Sequence, residues 1–193
     1  MIINDLQNPG ELRVYTAGLF RREWDSATYR ADPAAVAANE GDPTTTGTNT
    51  EIDSITINTT EAIIWRGFFL PDQTDTTWEF QTTSDDASFL WINREDTGEP
   101  RNAAQQTDVN MVNADAAVQN GGAHVERTRS TDDAAGDVTL NAGVYYPICI
   151  FAANSSGPGV ITVRFRRNNG TWQTDGTGFF FHDAGTDNGY HLN

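Results

Sequence analysis

Apolar and polar residues alternate one by one along several short stretches of the chain, and few stretches keep the three-to-four spacing of an amphipathic helix. Glu11-Leu12-Arg13-Val14-Tyr15 and Thr77-Trp78-Glu79-Phe80-Gln81-Thr82 alternate in this way and predict half-buried strands. Ile52 to Ile57 alternates as well, which sets Ile52, Ser54 and Thr56 on the face opposite Asp53, Ile55 and Ile57. Ile63 to Leu70 is apolar enough for a buried strand, and further strands are predicted at Ser88–Ile92, Asp137–Leu140, Tyr145–Phe151, Val160–Phe165 and Gly178–Phe181. Short strands separated by turn-rich segments predict an all-β fold, an antiparallel β-sandwich with long loops and little helix. Its core is expected to include Trp65, Phe68, Phe80, Phe89, Trp91, Tyr146, Ile148, Ile150 and Val163.

Between the strands, Asp32 to Asn39 carries an Asp N-cap followed by Pro and reads either as a turn or two of helix or as coil. Gly41 to Thr50 is polar, Thr-rich and broken by Gly and Pro, which predicts a long loop. Arg94 to Asp133 is the largest interval without a convincing strand, and a loop of that length in a compact domain is functional or covers an interface. No internal repeat is visible. The expected organisation is one sandwich domain over residues 1–193, with an N-terminal arm at about 1–10 and a C-terminal tail at about 183–193.

Charge narrows the partners. All 12 basic residues are Arg, and with 27 acidic residues the formal net charge is −15. Such a surface repels nucleic acid and anionic membrane surfaces and attracts divalent cations, although solubility alone also accounts for it. Cys149 is the only cysteine, so no intrachain disulfide can form, and its apolar surroundings predict a buried, inert thiol. The N-terminus shows no signal-peptide pattern, and no run approaches the roughly 20 apolar residues of a membrane span.

Asp85-Asp86 stands between two predicted strands. Adjacent carboxylates repel unless hydrogen bonds or a cation neutralise them, so the pair fits either a capped, solvated turn or part of a cation site. A glycosidase pair is the weaker reading, because its carboxyls stand roughly 5–9.5 Å apart across a sugar, usually on different elements. His124, in the Asn120-Gly121-Gly122-Ala123-His124 turn, has no second His at metal-ligand spacing, and Asp132-Asp133 is a second, superficially similar acidic pair. Asn58-Thr59-Thr60 and Asn154-Ser155-Ser156 match the glycosylation acceptor pattern. Trp24, Trp65, Trp78, Trp91 and Trp172 could offer a sugar-stacking surface, yet at least three lie in apolar strands and belong to the core. Arg164-Phe165-Arg166-Arg167 reads as a strand with an outward basic face, solvated or paired with acids.

Two segments together carry a family likeness. Gln81 to Ile92, with Ser84-Asp85-Asp86 at its centre, resembles the signature of the protective-antigen-type domain, named for anthrax protective antigen. Leu140-Asn141-Ala142-Gly143-Val144-Tyr145-Tyr146-Pro147-Ile148 resembles its second hallmark, and the later Asn154-Ser155-Ser156-Gly157 and Gly178-Phe179-Phe180-Phe181 are similar to the GLEYA and flocculin branch. The resemblance implies that Asp85 and Asp86, joined by a cis peptide, hold calcium with Asn154 as third side-chain ligand. It further implies carbonyl ligands near Ser156 and Pro158, and vicinal sugar hydroxyls completing the shell. Calcium takes 6–8 oxygen ligands, which such a set can supply. The loop departs from the flocculin pattern in lacking an aromatic residue after Asn154.

The expected function is a non-catalytic, calcium-dependent carbohydrate-recognition module, lectin-like and adhesive, with a glycan as partner. A start at Met1 without a leader pattern, and the resemblance of the Trp91-Ile92 strand, the Asn120-Gly121-Gly122 turn and the Gly178–Phe181 ending to structural proteins of marine phages, imply a virion surface or tail-associated protein; the alternative location is an extracellular surface. The rival reading is a structural capsid or tail decoration protein without glycan binding, whose partners are other virion proteins and, within an assembly, further copies of itself.

Overall fold

A computed structural model describes residues 2–4, 12–28, 35–36, 41–74, 76–92, 118–121, 127–131 and 138–185. Among the described residues, fourteen strands follow in chain order: β1 (Ile2–Asn4), β2 (Leu12–Ala17), β3 (Leu19–Trp24), β4 (Thr45–Asn49), β5 (Ile55–Ile57), β6 (Ala62–Phe69), β7 (Thr76–Ser84), β8 (Ala87–Ile92), β9 (Val118–Gly121), β10 (Arg127–Ser130), β11 (Val138–Leu140), β12 (Tyr146–Ala153), β13 (Gly159–Arg167) and β14 (Phe180–Asp183). Every pairing among the named strands is antiparallel. The fold is the expected all-β class. A nine-stranded sheet runs β1-β2-β14-β6-β12-β8-β9 with β3 and β4 alongside, and a five-stranded sheet runs β10-β7-β13-β5 with β11 on β7.

The core fills the space between the sheets. Trp65 and Phe69 of β6, Tyr146, Ile148 and Ile150 of β12, Trp78 and Phe80 of β7, and Val163 and Phe165 of β13 meet there. Phe69 is its hub, packing edge-on against Trp78, Phe80 and Phe165 at centroid distances of 4.9 to 5.3 Å, the arrangement that aromatic quadrupoles favour. The large sheet is also covered on its other face. Trp24, Val36, Ile64, Phe89, Trp91, Cys149 and Phe151 form a second buried cluster there, which is why β6, β8 and β12 are buried at every position. All nine residues expected in the core are buried, but Phe89 and Trp91 lie in this outer layer and Phe68 is not part of the inter-sheet cluster. Phe68 stands edge-on to Tyr15 and Tyr145. Cys149 is fully buried, and desolvation raises its thiol pKa against the opposing influence of Arg66.

Three local expectations are corrected. Gly41 to Thr50 is not all loop, because the β-branched threonines of β4 pair with β3 from Leu19↔Asn49 to Glu23↔Thr45. Arg94 to Asp133 contains β9 and β10, short polar edge strands that carry little apolar pattern. Ile52 and Ile57 face the same core, with Ile55 packed against it, because Ser54 takes a φ of +53° and breaks the strict alternation. Of the possible helix at Asp32–Asn39, Ala35 and Val36 are described and are helical. Beyond Ile2–Asn4 at one end and Gly185 at the other, the expected arm and tail lie outside the described residues, as do His124 and the Asp132-Asp133 pair.

Gly67 marks where β6 changes partners, from β3 to β14. Its φ is +156°, and a Cβ there would stand 2.0 Å from the Phe181 carbonyl oxygen, so no other residue fits without moving that strand.

Candidate functional site

Three chain segments cross from one sheet to the other at the same end of the sandwich. The β5–β6 corner is Asn58 to Glu61, the β7–β8 corner is Asp85-Asp86, and the β12–β13 corner is Asn154 to Pro158. Register places them together. Ala153 pairs with both Ala62 and Ala87 in the large sheet, while Gly159 pairs with Ile57, and Ile161 with both Ile55 and Ser84, in the small one. The Asp-Asp pair therefore occupies an inter-sheet corner beside the asparagine.

Asp86 is buried, and its Oδ2 accepts hydrogen bonds from Ser155 N at 2.6 Å and Ser155 Oγ at 2.9 Å. Asp85 is half-buried, and its carboxylate makes no hydrogen bond among the described residues. Asn154 is 1% exposed. Its Nδ2 donates to Ile57 O at 2.9 Å and to Gly157 O at 2.5 Å, which turns Oδ1 the other way, toward Ser156 N at 3.3 Å. Two carbonyl acceptors thus fix which end of the amide is oxygen. A Cβ built on Gly159 would stand 3.1 Å from Asn154 Nδ2 and 3.3 Å from Asp85 Cβ, so the bare glycine lets these two side chains share one hollow. Ser156 and Pro158 sit in the exposed loop between Asn154 and Gly159.

The floor of the corner is buried and polar. Ser84 Oγ donates to the Asp86 carbonyl at 3.2 Å, and Ser84, Ser88 and Thr82 link their hydroxyls at 2.8 and 2.9 Å. The β5–β6 corner holds the loop from the side. Thr60 N donates to Asn154 O, Asn154 N donates to Glu61 O, each at 3.0 Å, and Thr59 Oγ1 donates to Gly157 O at 3.0 Å. Thr60 has a φ of +72°, unusual for a β-branched residue. Hydrogen bonds from Ala27 N to its carbonyl and from its hydroxyl to Asp25 O help hold it there. Glu61 is 6% exposed and closes the corner by accepting from Asn58 N at 2.5 Å and Asn58 Nδ2 at 2.6 Å.

The sequence-predicted ligands Asp85, Asp86 and Asn154 are thus brought to one corner. One expectation is corrected: none of the described peptide bonds is cis, so Asp85–Asp86 is trans. The trans backbone already delivers the Asp86 carboxylate to Ser155. A donor set of two carboxylates and an amide oxygen, beside loop carbonyls, is hard oxygen chemistry and suits calcium. Burial of Asn154 rules it out as a glycan acceptor in the folded chain. Four of the tryptophans are buried, and Trp172 is half-buried with Arg166 stacked 4.4 Å from its ring.

Sequence reasoning missed Ser155, Gly159 and the whole β5–β6 corner. Asn58-x-x-Glu61 has the spacing of a capping box without a following helix, and that signal could have flagged a side-chain-closed turn. A second acidic group, Glu23, Asp25 and Glu61, adjoins the corner with ligand atoms within 4.8 Å of one another.

Among solved structures, the A domain of epithelial adhesin 6 from Candida glabrata, in complex with Galβ1-3GlcNAc, superposes with a TM-score of 0.65 at 14% identity, covering 91% of each chain. The PA14 domain of the MpAFP antifreeze protein gives 0.59 at 14% identity over 91% of this chain and 95% of that one. An anti-sigma factor domain-containing protein from Clostridium clariflavum also gives 0.59 at 14% identity, covering 86% of this chain; the chain spans about half of that protein's length, 47%. At these identities the likeness is one of fold. No curated protein sequence matches the chain. The profile of the GLEYA domain matches residues 61–167, more than half of the chain and the segment holding both aspartates and the asparagine; the chain belongs to the GLEYA domain family.

Proposed function

We propose that the chain is a non-catalytic, calcium-dependent carbohydrate-recognition module displayed on the outside of a cell or particle, a virion surface included. Asp85, Asp86 and Asn154 hold the ion, and carbonyls of Ser156 and Pro158 add to its shell. Bound calcium would supply the charge that orients vicinal sugar hydroxyls. The observation that carries this reading is the convergence of the β7–β8 and β12–β13 corners, where Ser155, next to Asn154, binds the Asp86 carboxylate and the bare Gly159 leaves Asn154 and Asp85 close on either side of it. GLEYA membership supports it, as do fold neighbours named for their sugars: epithelial adhesin A domains with Galβ1-3GlcNAc or Galβ1-4GlcNAc and a PA14 sugar-binding domain of an RTX adhesin.

The chain's own residues prepare the site without the ion. Ser155 orients Asp86, two carbonyls orient Asn154, and the β5–β6 corner fixes the loop between them. A glycan array probed with the full chain in calcium and again in chelator tests the reading. Binding to a defined set of glycans that chelator removes is the expected result. Calcium-independent binding, or none to any glycan, would contradict it and favour the decoration-protein role.

A further inference from the structure

We infer that Ser155 is a positioning residue of this site, which locks Asp86 to the β12–β13 loop so that the cation and the sugar-facing loop respond as one unit. The inference rests on the cation reading of Asp85, Asp86 and Asn154. Both donors of Ser155, its backbone N–H and its hydroxyl, converge on the same carboxylate oxygen, Asp86 Oδ2, at 2.6 and 2.9 Å. Hydrogen bonds to an ionised acceptor are stronger than neutral ones, and this pair lies in a part-buried corner. Ser155 also follows Asn154 directly, and Ser156 N returns to Asn154 Oδ1 at 3.3 Å, so the residues on either side of Ser155 are joined while Ser155 itself binds Asp86.

The clamp has a directional consequence. Asp86 lies on the β7–β8 corner and Ser155 on the β12–β13 corner, and no strand pairing joins the two corners' own residues. The carboxylate is therefore a side-chain tie between the two corners. Outer-shell partners that orient a ligand typically change metal affinity by about 10–100-fold when removed.

The test is calorimetric titration of calcium into the full chain as wild type, Ser155→Ala and Ser155→Thr, with circular dichroism and thermal melts in chelator to verify folding. Ser155→Ala keeps the amide and loses the hydroxyl, and its calcium dissociation constant should rise about tenfold. Ser155→Thr restores the hydroxyl and should return affinity to within about threefold of wild type, a rescue that a role in bulk packing would not produce. A folded Ser155→Ala variant that binds calcium as tightly as wild type overturns the clamp alone. Failure of the wild type to bind calcium overturns the cation site, and the clamp with it. If Ser155→Ala does not fold, the threonine variant decides: affinity near wild type supports the clamp, and a tenfold loss despite the retained hydroxyl overturns it.

Discussion

Two acidic groups lie at the same end of the sandwich, and they differ in what their oxygens already hold. Asp85 and Asp86 are neighbours in sequence, one making no hydrogen bond among the described residues and the other bound to the neutral donors of Ser155. Glu23, Asp25 and Glu61 come from separate strands and corners and cluster more densely. Yet Glu23 is ion-paired with Arg21, and both oxygens of Glu61 are taken by Asn58. Burial lowers the Arg21 pKa, while Glu61 opposes that shift, as expected of a guanidinium serving this group as its counter-charge. Two of the three carboxylates in the denser group are thus bound to Arg21 or Asn58, whereas in the Asp-Asp pair Asp86 is held by the neutral donors of Ser155 and Asp85 accepts no hydrogen bond among the described residues.

The sharpest way to break this contrast is to remove Glu61. Glu61→Ala leaves the Asn58 donors without their acceptor in a corner that also carries Asn154, and stability should fall by about 3 kcal/mol in calcium-free buffer. Urea denaturation measures the loss. The next effect belongs to the candidate site. With free calcium at 100 times its dissociation constant, the wild type should gain about 2.7 kcal/mol, and Asp86→Ala should show none of that gain in melts with and without chelator.

Gly159→Ala sharpens the comparison at lower cost. Its Cβ would press on Asn154 and Asp85 at 3.1 to 3.3 Å and should destabilise the fold by about 1 kcal/mol while weakening calcium several-fold. The smallest effect is expected from Asp25→Asn, an exposed member of the denser group, which should change stability by less than about 0.5 kcal/mol and leave the calcium response intact.

Much of this was legible from local pattern. The apolar runs at Ile63–Leu70 and Tyr145–Phe151 marked buried strands, and Asp85-Asp86 was visible as an acidic pair between two strands, whereas Asn154 was singled out only through the resemblance to the GLEYA and flocculin branch. Less legible was the partition of strands between sheets. Thr76–Ser84 and Ala87–Ile92 look like a hairpin, but register sends them to different sheets and turns the Asp-Asp pair into a corner. The Glu61 contact with Asn58 is local, whereas Ser155 with Asp86 spans 69 positions and Asn154 with Ile57 spans 97. No short-range period encodes such distant contacts. Ser54 and Thr60 likewise gave no sign of positive φ, because their side chains ordinarily disfavour it.

The most direct test of the site is calorimetric titration of calcium into the full chain, comparing wild type, Asp86→Ala and Glu23→Gln. Saturable binding by the wild type, lost in Asp86→Ala and kept in Glu23→Gln, is the predicted result. Binding that survives Asp86→Ala but disappears in Glu23→Gln, or no binding by the wild type, would contradict the assignment.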